Sequence, residues 1–339
     1  MGRVNALLSF SLVVVIAAAA SVALCVLLRP LLARYALASP NPRSSHKVPT
    51  PEGGGIAVVG AAFLAVLVAA AGSIAAPGDL LALWPLAAAV LLLALTGVYD
   101  DLFFLSIGAR FVLQFIAVAA VLSALPHDMR VVPQLPWWVE RAALLLAGVY
   151  LVNVANFMDG IDWMTVAEVV PLTAGLGALS LLGALSPADT IVALALLGAI
   201  IGFAPFNRPV AQLFLGDVGS LPIGLILFWL LVRLAGEGHL AAALLLPLYY
   251  VADATVTLLR RLARGENVLR AHRTHFYQRA TDLGFSVIGI VTRVFAVNVV
   301  LAALAVGAVA ARSGWTEIVA LALGGALVAA LLVHFGSRQ

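Results

Sequence analysis

Charge is scarce in this chain: Lys, Arg, Asp and Glu make up 10% of its 339 residues, against about a quarter in an ordinary soluble domain. With 63% of residues hydrophobic and a mean hydropathy of +1.11, a water-soluble globular protein is excluded. Cysteine is almost absent. Cys25 stands alone, which rules out an intramolecular disulfide, a thiolate cluster and a cysteine-based zinc site. Leu24 precedes it and the apolar run continues to Leu32, so the segment reads as a retained first helix rather than a lipoprotein signal. Also missing are a Walker A loop, a G-x-G-x-x-G turn and an H-E-x-x-H helix, which disfavours a P-loop NTPase, a dinucleotide enzyme and a zincin. The excess of basic over acidic residues is small, 19 against 16, and no nucleic-acid partner is expected.

What fills the chain is helix-length apolar sequence. Eleven runs stand out, near 4–29, 55–76, 80–98, 111–126, 137–156, 166–185, 188–205, 219–236, 239–258, 285–311 and 315–335. At about 20 residues per crossing they use roughly 220 residues and leave about 120 for all loops and termini. No separate soluble domain fits, so residues 1–339 are expected to form a single all-α, polytopic membrane domain of about eleven transmembrane helices. Alternating the loops between two faces places thirteen Lys and Arg on the face reached after the first helix. Five lie on the other face (Arg3, Arg130, Arg141, Arg233 and Arg312), and Arg293 falls within a span. The positive-inside rule makes the first face cytoplasmic and puts the N-terminus outside. Trp137, Trp138 and Trp315 open helices at the outer interface, where aromatic belts are expected.

The acids add a second signal, since Asp100, Asp101, Asp159, Asp162 and Asp217 all fall in loops of the cytoplasmic face. The first such loop carries Arg43, His46 and Lys47 and then Gly53-Gly54-Gly55. It reads equally as a phosphate cradle or as a basic turn against lipid headgroups. Asp100-Asp101 ends the third run, and adjacent carboxylates at a membrane surface read equally as partners of a nearby cation or as a solvated helix end. Asn153, Asn156 and Asp159 recur every third residue along one helix face and lead into Gly160-Ile161-Asp162. Gly216-Asp217-Val218-Gly219-Ser220 opens the eighth run, where Asp217 suits a cation or a plain helix cap, and Ser220 with the backbone N–H groups suits an oxyanion. Arg208 lies just upstream. The last cytoplasmic loop contains His272-Arg273-Thr274-His275, whose histidines suit a diphosphate or a carboxylate, with a two-histidine metal site the less favoured reading because no third ligand is nearby in sequence. Hard oxygen ligands beside Arg, Lys and His describe a magnesium and phosphate site, with Mn2+ as an alternative ion.

In this order the motifs resemble the polyprenyl-phosphate N-acetylhexosamine-1-phosphate transferases, glycosyltransferase family 4. The stretches are His46-Lys47 with Pro49-Thr50-Pro51 and Gly53-Gly54-Gly55, then Asp100-Asp101, Asn153-x-x-Asn156-x-x-Asp159-Gly160-Ile161-Asp162, Leu215-Gly216-Asp217-Val218-Gly219-Ser220 and His272-Arg273-Thr274-His275. They cover roughly residues 40 to 282. The resemblance implies a bacterial inner-membrane enzyme that moves a sugar 1-phosphate from a UDP-N-acetylhexosamine to undecaprenyl phosphate and releases UMP. Its active site would be built from cytoplasmic loops. It implies Asp217 as metal ligand, with Asp100 also on the metal, and Asp100 and Asp101 as the catalytic pair. Asn153, Asn156 and Asp159 would lie on the nucleotide side, His272 and His275 on the diphosphate, and Lys47 on the lipid phosphate or nucleotide. His46, Asp162, Arg208, Ser220 and Arg273 complete the expected substrate contacts.

Two departures from the family pattern matter. Trp163 replaces the final glycine of the Asp-Gly-Ile-Asp-Gly motif, which bears on the local turn. His-Arg-Thr-His in place of consecutive histidines looks like the branch that starts O-antigen and related surface polysaccharides, rather than the phospho-N-acetylmuramoyl-pentapeptide branch. The rival class is a secondary transporter of an anionic phosphorylated solute. Such a protein would hold its polar residues near the bilayer midplane on related halves, whereas these acids sit at helix ends. Which sugar is carried, and whether the protein is a homodimer, are not legible.

Overall fold

The computed structural model describes residues 3–38, 48–72, 78, 82–268 and 272–337. It is helical almost throughout, as the apolar runs require: in hydrocarbon every backbone N–H and C=O must be satisfied within the protein. The described helices are α1 (Arg3–Tyr35), α2 (Gly55–Ala71), α3 (Trp84–Phe103), α4 (Ile107–Ser123), α5 (Trp137–Met158), α6 (Met164–Leu181), α7 (Pro187–Phe203), α8 (Asp217–Gly236), α9 (Leu240–Leu245), α10 (Leu248–Ala263), α11 (Phe276–Asp282), α12 (Val287–Ala311) and α13 (Gly314–Gly336). Each expected run falls on a helix. Seven of them, α1, α3, α5, α6, α8, α12 and α13, are long and apolar enough to cross a membrane, whereas α2, α4 and α7 are apolar but shorter.

Three differences from the sequence expectation have clear causes. The ninth run is not one helix, because Pro247 lacks an N–H and breaks it between α9 and α10. The third helix runs on to Phe103, so the expected 99–110 loop shrinks to residues 104–106 and Asp100 and Asp101 lie in a helical last turn. The expected last loop contains the short helix α11.

Helix α8 is the axis of the bundle and is buried on nearly every side, with Leu221, Leu225, Leu230 and Leu234 wholly enclosed. A helix apolar all round belongs at a centre, and α2, α3, α5 and α9 pack around this one. α1 lies against α2 and α7, and α12 joins α6 to α13. These outer helices turn Leu8, Leu12, Leu27, Trp315 and Val333 outward, as lipid-facing surfaces do. Beyond α1, Leu37–Ala38 pairs antiparallel with Thr50–Pro51. The same segment then zips onto 213–215, with Gly54 N–H donating to Phe214 O and Gly55 N–H to Leu215 O, both at 2.8 Å. That ribbon delivers Glu52 to the start of α8.

Candidate active site

The start of α8 sits unusually close to two neighbours because glycines face it. A Cβ on Gly97 of α3 would lie 2.3 Å from the Val218 nitrogen, and one on Gly55 of α2 would lie 2.2 Å from Gly219. Close approach brings the α3 carboxylates onto the α8 N-terminus. Asp101 accepts the Asp217 N–H at 3.1 Å and the Val218 N–H at 3.3 Å, satisfying donors that the helix cannot satisfy itself. Asp101 is therefore a cap lent by another helix.

Asp100, one residue earlier, points elsewhere. Its Oδ1 accepts the Leu105 N–H at 2.6 Å and its Oδ2 meets Arg110 Nη1 at 2.7 Å. The other arm of the same guanidinium, Nη2, lies 3.1 Å from Asp217 Oδ2 and 3.5 Å from Asn156 Oδ1. Asn156 in turn donates to Asp217 Oδ1 at 2.6 Å and to Ser220 Oγ at 2.9 Å. Residues from three separated motifs, Asp100, Asn156 and Asp217, thus converge on Arg110. Asn153 lies one turn deeper on α5, buried, and exchanges amide hydrogen bonds with Gln114 of α4.

The donor set suits a hard divalent cation. The Oδ2 atoms of Asp100 and Asp217 each contact one arm of the Arg110 guanidinium, with Asn156 Oδ1 beside the second arm. No larger cluster of His, Cys, Asp or Glu able to hold a metal occurs among the described residues. Two carboxylates completed by substrate phosphates and water is how Mg2+ is commonly bound.

Next to this cluster opens a cavity of about 680 Å3, lined among others by Glu52, Asp159, Asp162, Asn207, Gly216 and Gln278. Two of its acids, Glu52 and Asp159, are held against ionisation. Burial, reinforced by Asp217, raises Glu52 to about 7. Burial again, opposed by the Thr165 hydroxyl and reinforced by neighbouring carboxylates, raises Asp159 to about 8. Asp162 accepts the Ala211 N–H at 3.0 Å, which ties the 160–163 turn to the 204–212 segment. Trp163 completes the tie: it adopts the left-handed conformation (φ 63°), donates its N–H to Asn207 Oδ1 at 2.8 Å and its Nε1–H to Ala204 O at 2.6 Å. The turn survives the missing glycine because the indole is anchored.

The segment between α10 and α12 is organised by Asp253, which is wholly buried. It accepts the N–H groups of Phe276 at 2.9 Å and Tyr277 at 3.2 Å, and the hydroxyls of Tyr249 and Thr257. His275 is buried with Nδ1 3.3 Å from Asp253 Oδ1, and its ring stacks on His272 at 4.8 Å. Burial, then the nearby His275 and Arg261, lowers His272 to about 4, so it is neutral at pH 7. Arg273 pairs with Asp282 at 3.1 Å. Tyr277 reaches back to donate to Phe157 O at 2.9 Å, joining this loop to the end of α5. Arg208 is exposed on the 204–212 segment. His46 and Lys47 lie outside the described residues.

Sequence reasoning did not single out Arg110, Glu52, Asp253 or Tyr277. For Arg110 a signal existed, since it is the one basic residue between Asp101 and the apolar run that starts near 111. For Glu52 none did, because its place depends on pairing with residue 214.

Residues 83–235 match the model of glycosyl transferase family 4, which bears out the resemblance read from the sequence. The matched segment contains Asp100, Asp101, Arg110, Asn156, Asp159 and Asp217. Among curated proteins, the chain is 28% identical over 295 residues to the decaprenyl-phosphate N-acetylglucosaminephosphotransferase of Mycobacterium tuberculosis (strain ATCC 25618 / H37Rv), covering 74% of this chain and 70% of that one. It is 28% identical over 236 residues to the phospho-N-acetylmuramoyl-pentapeptide-transferase of Psychrobacter sp. (strain PRwf-1), 60% of this chain and 62% of that one. It is 25% identical over 203 residues, 56% of each chain, to the probable undecaprenyl-phosphate N-acetylglucosaminyl 1-phosphate transferase of Bacillus subtilis (strain 168).

Proposed function

We infer, from a chain whose residues 83–235 are a glycosyl transferase family 4 segment, that this protein transfers an N-acetylhexosamine 1-phosphate from a UDP-sugar to undecaprenyl phosphate. The products are undecaprenyl-diphosphate-sugar and UMP, and the step opens synthesis of a bacterial cell-envelope polysaccharide of the O-antigen kind. The observation that carries the reading is the convergence of Asp100, Asn156 and Asp217 on Arg110, next to a cavity of about 680 Å3 whose lining includes Gly216, the residue before Asp217. Relatives named as phosphotransferases that act on polyprenyl phosphates support the reaction class. The membrane is taken to be the inner membrane, crossed about eleven times, with the N-terminus periplasmic and the site cytoplasmic, on the basic excess of that face.

In the forward step a phosphate oxygen of undecaprenyl phosphate attacks the β-phosphorus of the UDP-sugar and UMP leaves in line. A phosphomonoester has a second pKa of about 6, so about nine in ten molecules are dianions near pH 7 and no strong general base is needed. The residues therefore position and neutralise. Asp100 and Asp217 would hold Mg2+, or Mn2+, which supplies charge stabilisation on the diphosphate. Arg110 and the basic loop residues bind phosphate oxygens, and Asn156 orients Asp217. His272, neutral at pH 7, accepts or donates hydrogen bonds rather than charge. The cavity beside Glu52, Asp159 and Gln278 takes the uridine and sugar.

Purified full-length protein with radiolabelled UDP-N-acetylglucosamine and undecaprenyl phosphate should give lipid-linked product and UMP. Asp217→Asn should abolish transfer in protein that still elutes as folded. A panel of UDP-sugars, including UDP-N-acetylmuramoyl-pentapeptide, identifies the donor. Full activity of Asp217→Asn at saturating Mg2+ would sink the metal assignment, and label accumulating inside vesicles without lipid product would sink the transferase reading.

A further inference from the structure

The acid pair of the site is already occupied by a cation that belongs to the chain. Arg110 Nη1 sits on Asp100 Oδ2 at 2.7 Å and Nη2 on Asp217 Oδ2 at 3.1 Å, so one guanidinium bridges both carboxylates through the two oxygens that face each other. Their remaining oxygens are committed, Asp100 Oδ1 to the Leu105 N–H and Asp217 Oδ1 to the Asn156 amide. A metal that bridges the two Oδ2 atoms takes the place Arg110 now holds.

Arg110 is also poorly placed for a purely structural role. It lies in the first turn of α4, whose N-cap Ser106 accepts the Ala109 N–H. A cation there faces the positive end of the helix dipole. The Asp100 side chain is 7% exposed, whereas those of Arg110 and Asp217 are 26% and 24% exposed. The bridge is thus anchored on an enclosed carboxylate and partly open to solvent at Arg110 and Asp217.

We propose that Arg110 is a resident counter-cation of the metal site. In the metal-free protein it neutralises Asp100 and Asp217 and keeps their lone pairs aligned, and on metal entry it releases them and turns its fork to the anionic phosphates of the substrates. The device has two consequences. Two carboxylates are never left buried and uncompensated between turnovers, a state that is costly in a low dielectric. The metal also binds weakly until a phosphate is present to receive Arg110, which couples metal loading to substrate arrival.

This inference rests on the proposed metal site, and the test separates the two. Mn2+ binding to the full-length protein in detergent, without substrate, is read from the EPR signal of free Mn2+ for the unsubstituted chain, Arg110→Gln, Arg110→Lys and Asp217→Asn. Removing a competing unit charge about 3–5 Å from the ion should tighten Mn2+ binding about tenfold or more in Arg110→Gln. Arg110→Lys, which keeps the charge but cannot bridge two carboxylates, should fall between, and it serves if the glutamine variant does not fold. In both variants KM for the UDP-sugar should rise while metal affinity rises, an opposition that loss of structure alone does not give. Mn2+ binding unchanged or weakened in the Arg110 variants overturns this inference alone. Absent Mn2+ binding by both the unsubstituted chain and Arg110→Gln, or binding by Asp217→Asn equal to that of the unsubstituted chain, overturns the metal assignment and this inference with it.

Discussion

Gly97→Ala adds one methyl carbon where α3 meets the start of α8. The new Cβ would stand 2.3 Å from the Val218 nitrogen and 2.4 and 2.5 Å from the carbonyl carbon and oxygen of Asp217, whereas ordinary contact begins at 3.4 Å. All three neighbours are backbone atoms, so no side chain can swing away. The first turn of α8 must retreat by about 1 Å, at a cost of about 1–3 kcal/mol for overpacking. The retreat also stretches the two hydrogen bonds that Asp101 accepts at 3.1 and 3.3 Å. Loss of that cap adds about 1 kcal/mol. Asp217 moves with the turn, away from Arg110 and Asn156, and a misplacement of about 1 Å in a positioning site costs roughly a hundredfold in rate. The assay is sugar-phosphate transfer to undecaprenyl phosphate together with thermal unfolding in detergent. Gly325→Ala in α13, where a Cβ meets nothing within 4 Å, is the control and should leave transfer unchanged. Gly97→Ala protein with unaltered rate and unaltered melting temperature would refute the claim that this helix contact sets the site.

Asp159 has a folded pKa of about 8 against an ordinary 3.8, so between these values the folded chain keeps a proton that the unfolded chain has lost. Stability of the metal-free protein should therefore fall as pH rises through that window, by up to about 1.4 kcal/mol per pH unit for this group. Asp159→Asn should flatten the melting temperature against pH; an unchanged slope would show that the carboxyl is ionised. Trp163→Gly relieves a left-handed residue, about 1–2 kcal/mol, but loses two side-chain benefits, the hydrogen bond to Ala204 O and the ring's packing. The expected outcome is a lower melting temperature and a raised KM for the UDP-sugar, checked by steady-state kinetics. Asp253→Ala leaves the Phe276 and Tyr277 N–H groups unsatisfied in a buried site, at about 1–3 kcal/mol each. Protease cleavage between residues 264 and 276 should accelerate, and unchanged cleavage would count against Asp253 as the organiser of that loop.

Much of this arrangement was readable before any coordinates. The Asn153, Asn156, Asp159 ladder is a helical pattern, and α5 ends where that pattern ends. The break in the ninth run was signalled by Pro247, which an average over apolar residues overlooks. The acid pair was misread for a local reason. With α3 ending near residue 98, Asp100 and Asp101 would sit together in a loop; with α3 reaching Phe103 they project about 100° apart. One then caps α8 and the other binds Arg110. The partners themselves were beyond reach, because Arg110 and Asp217 are separated by 107 positions and meet only through the packing of α3, α4 and α8.

The two ends of the bundle treat their acids differently, and the contrast bears on which end works. At the far end Glu140 and Asp189 are almost fully buried, and each is saturated. Glu140 takes Arg130 at 2.9 Å with the Val131 and Val132 N–H groups, and Asp189 takes Arg233 at 2.9 Å with Trp229 Nε1–H. Removing a partner there would leave a buried charge exposed to a low dielectric, so those pairs are ties between loops and helices. At the near end Glu52 and Asp159 face a cavity with no cationic partner among the described residues, and both are pushed toward the neutral form. The fold supplies arginines to the two buried far-end acids and none to Glu52 and Asp159 among the described residues. Leaving them unmatched beside the partly exposed Asp217 and Arg110 costs stability that a cation or a donor-rich substrate would restore, which supports the proposal that the chemistry lies at this end.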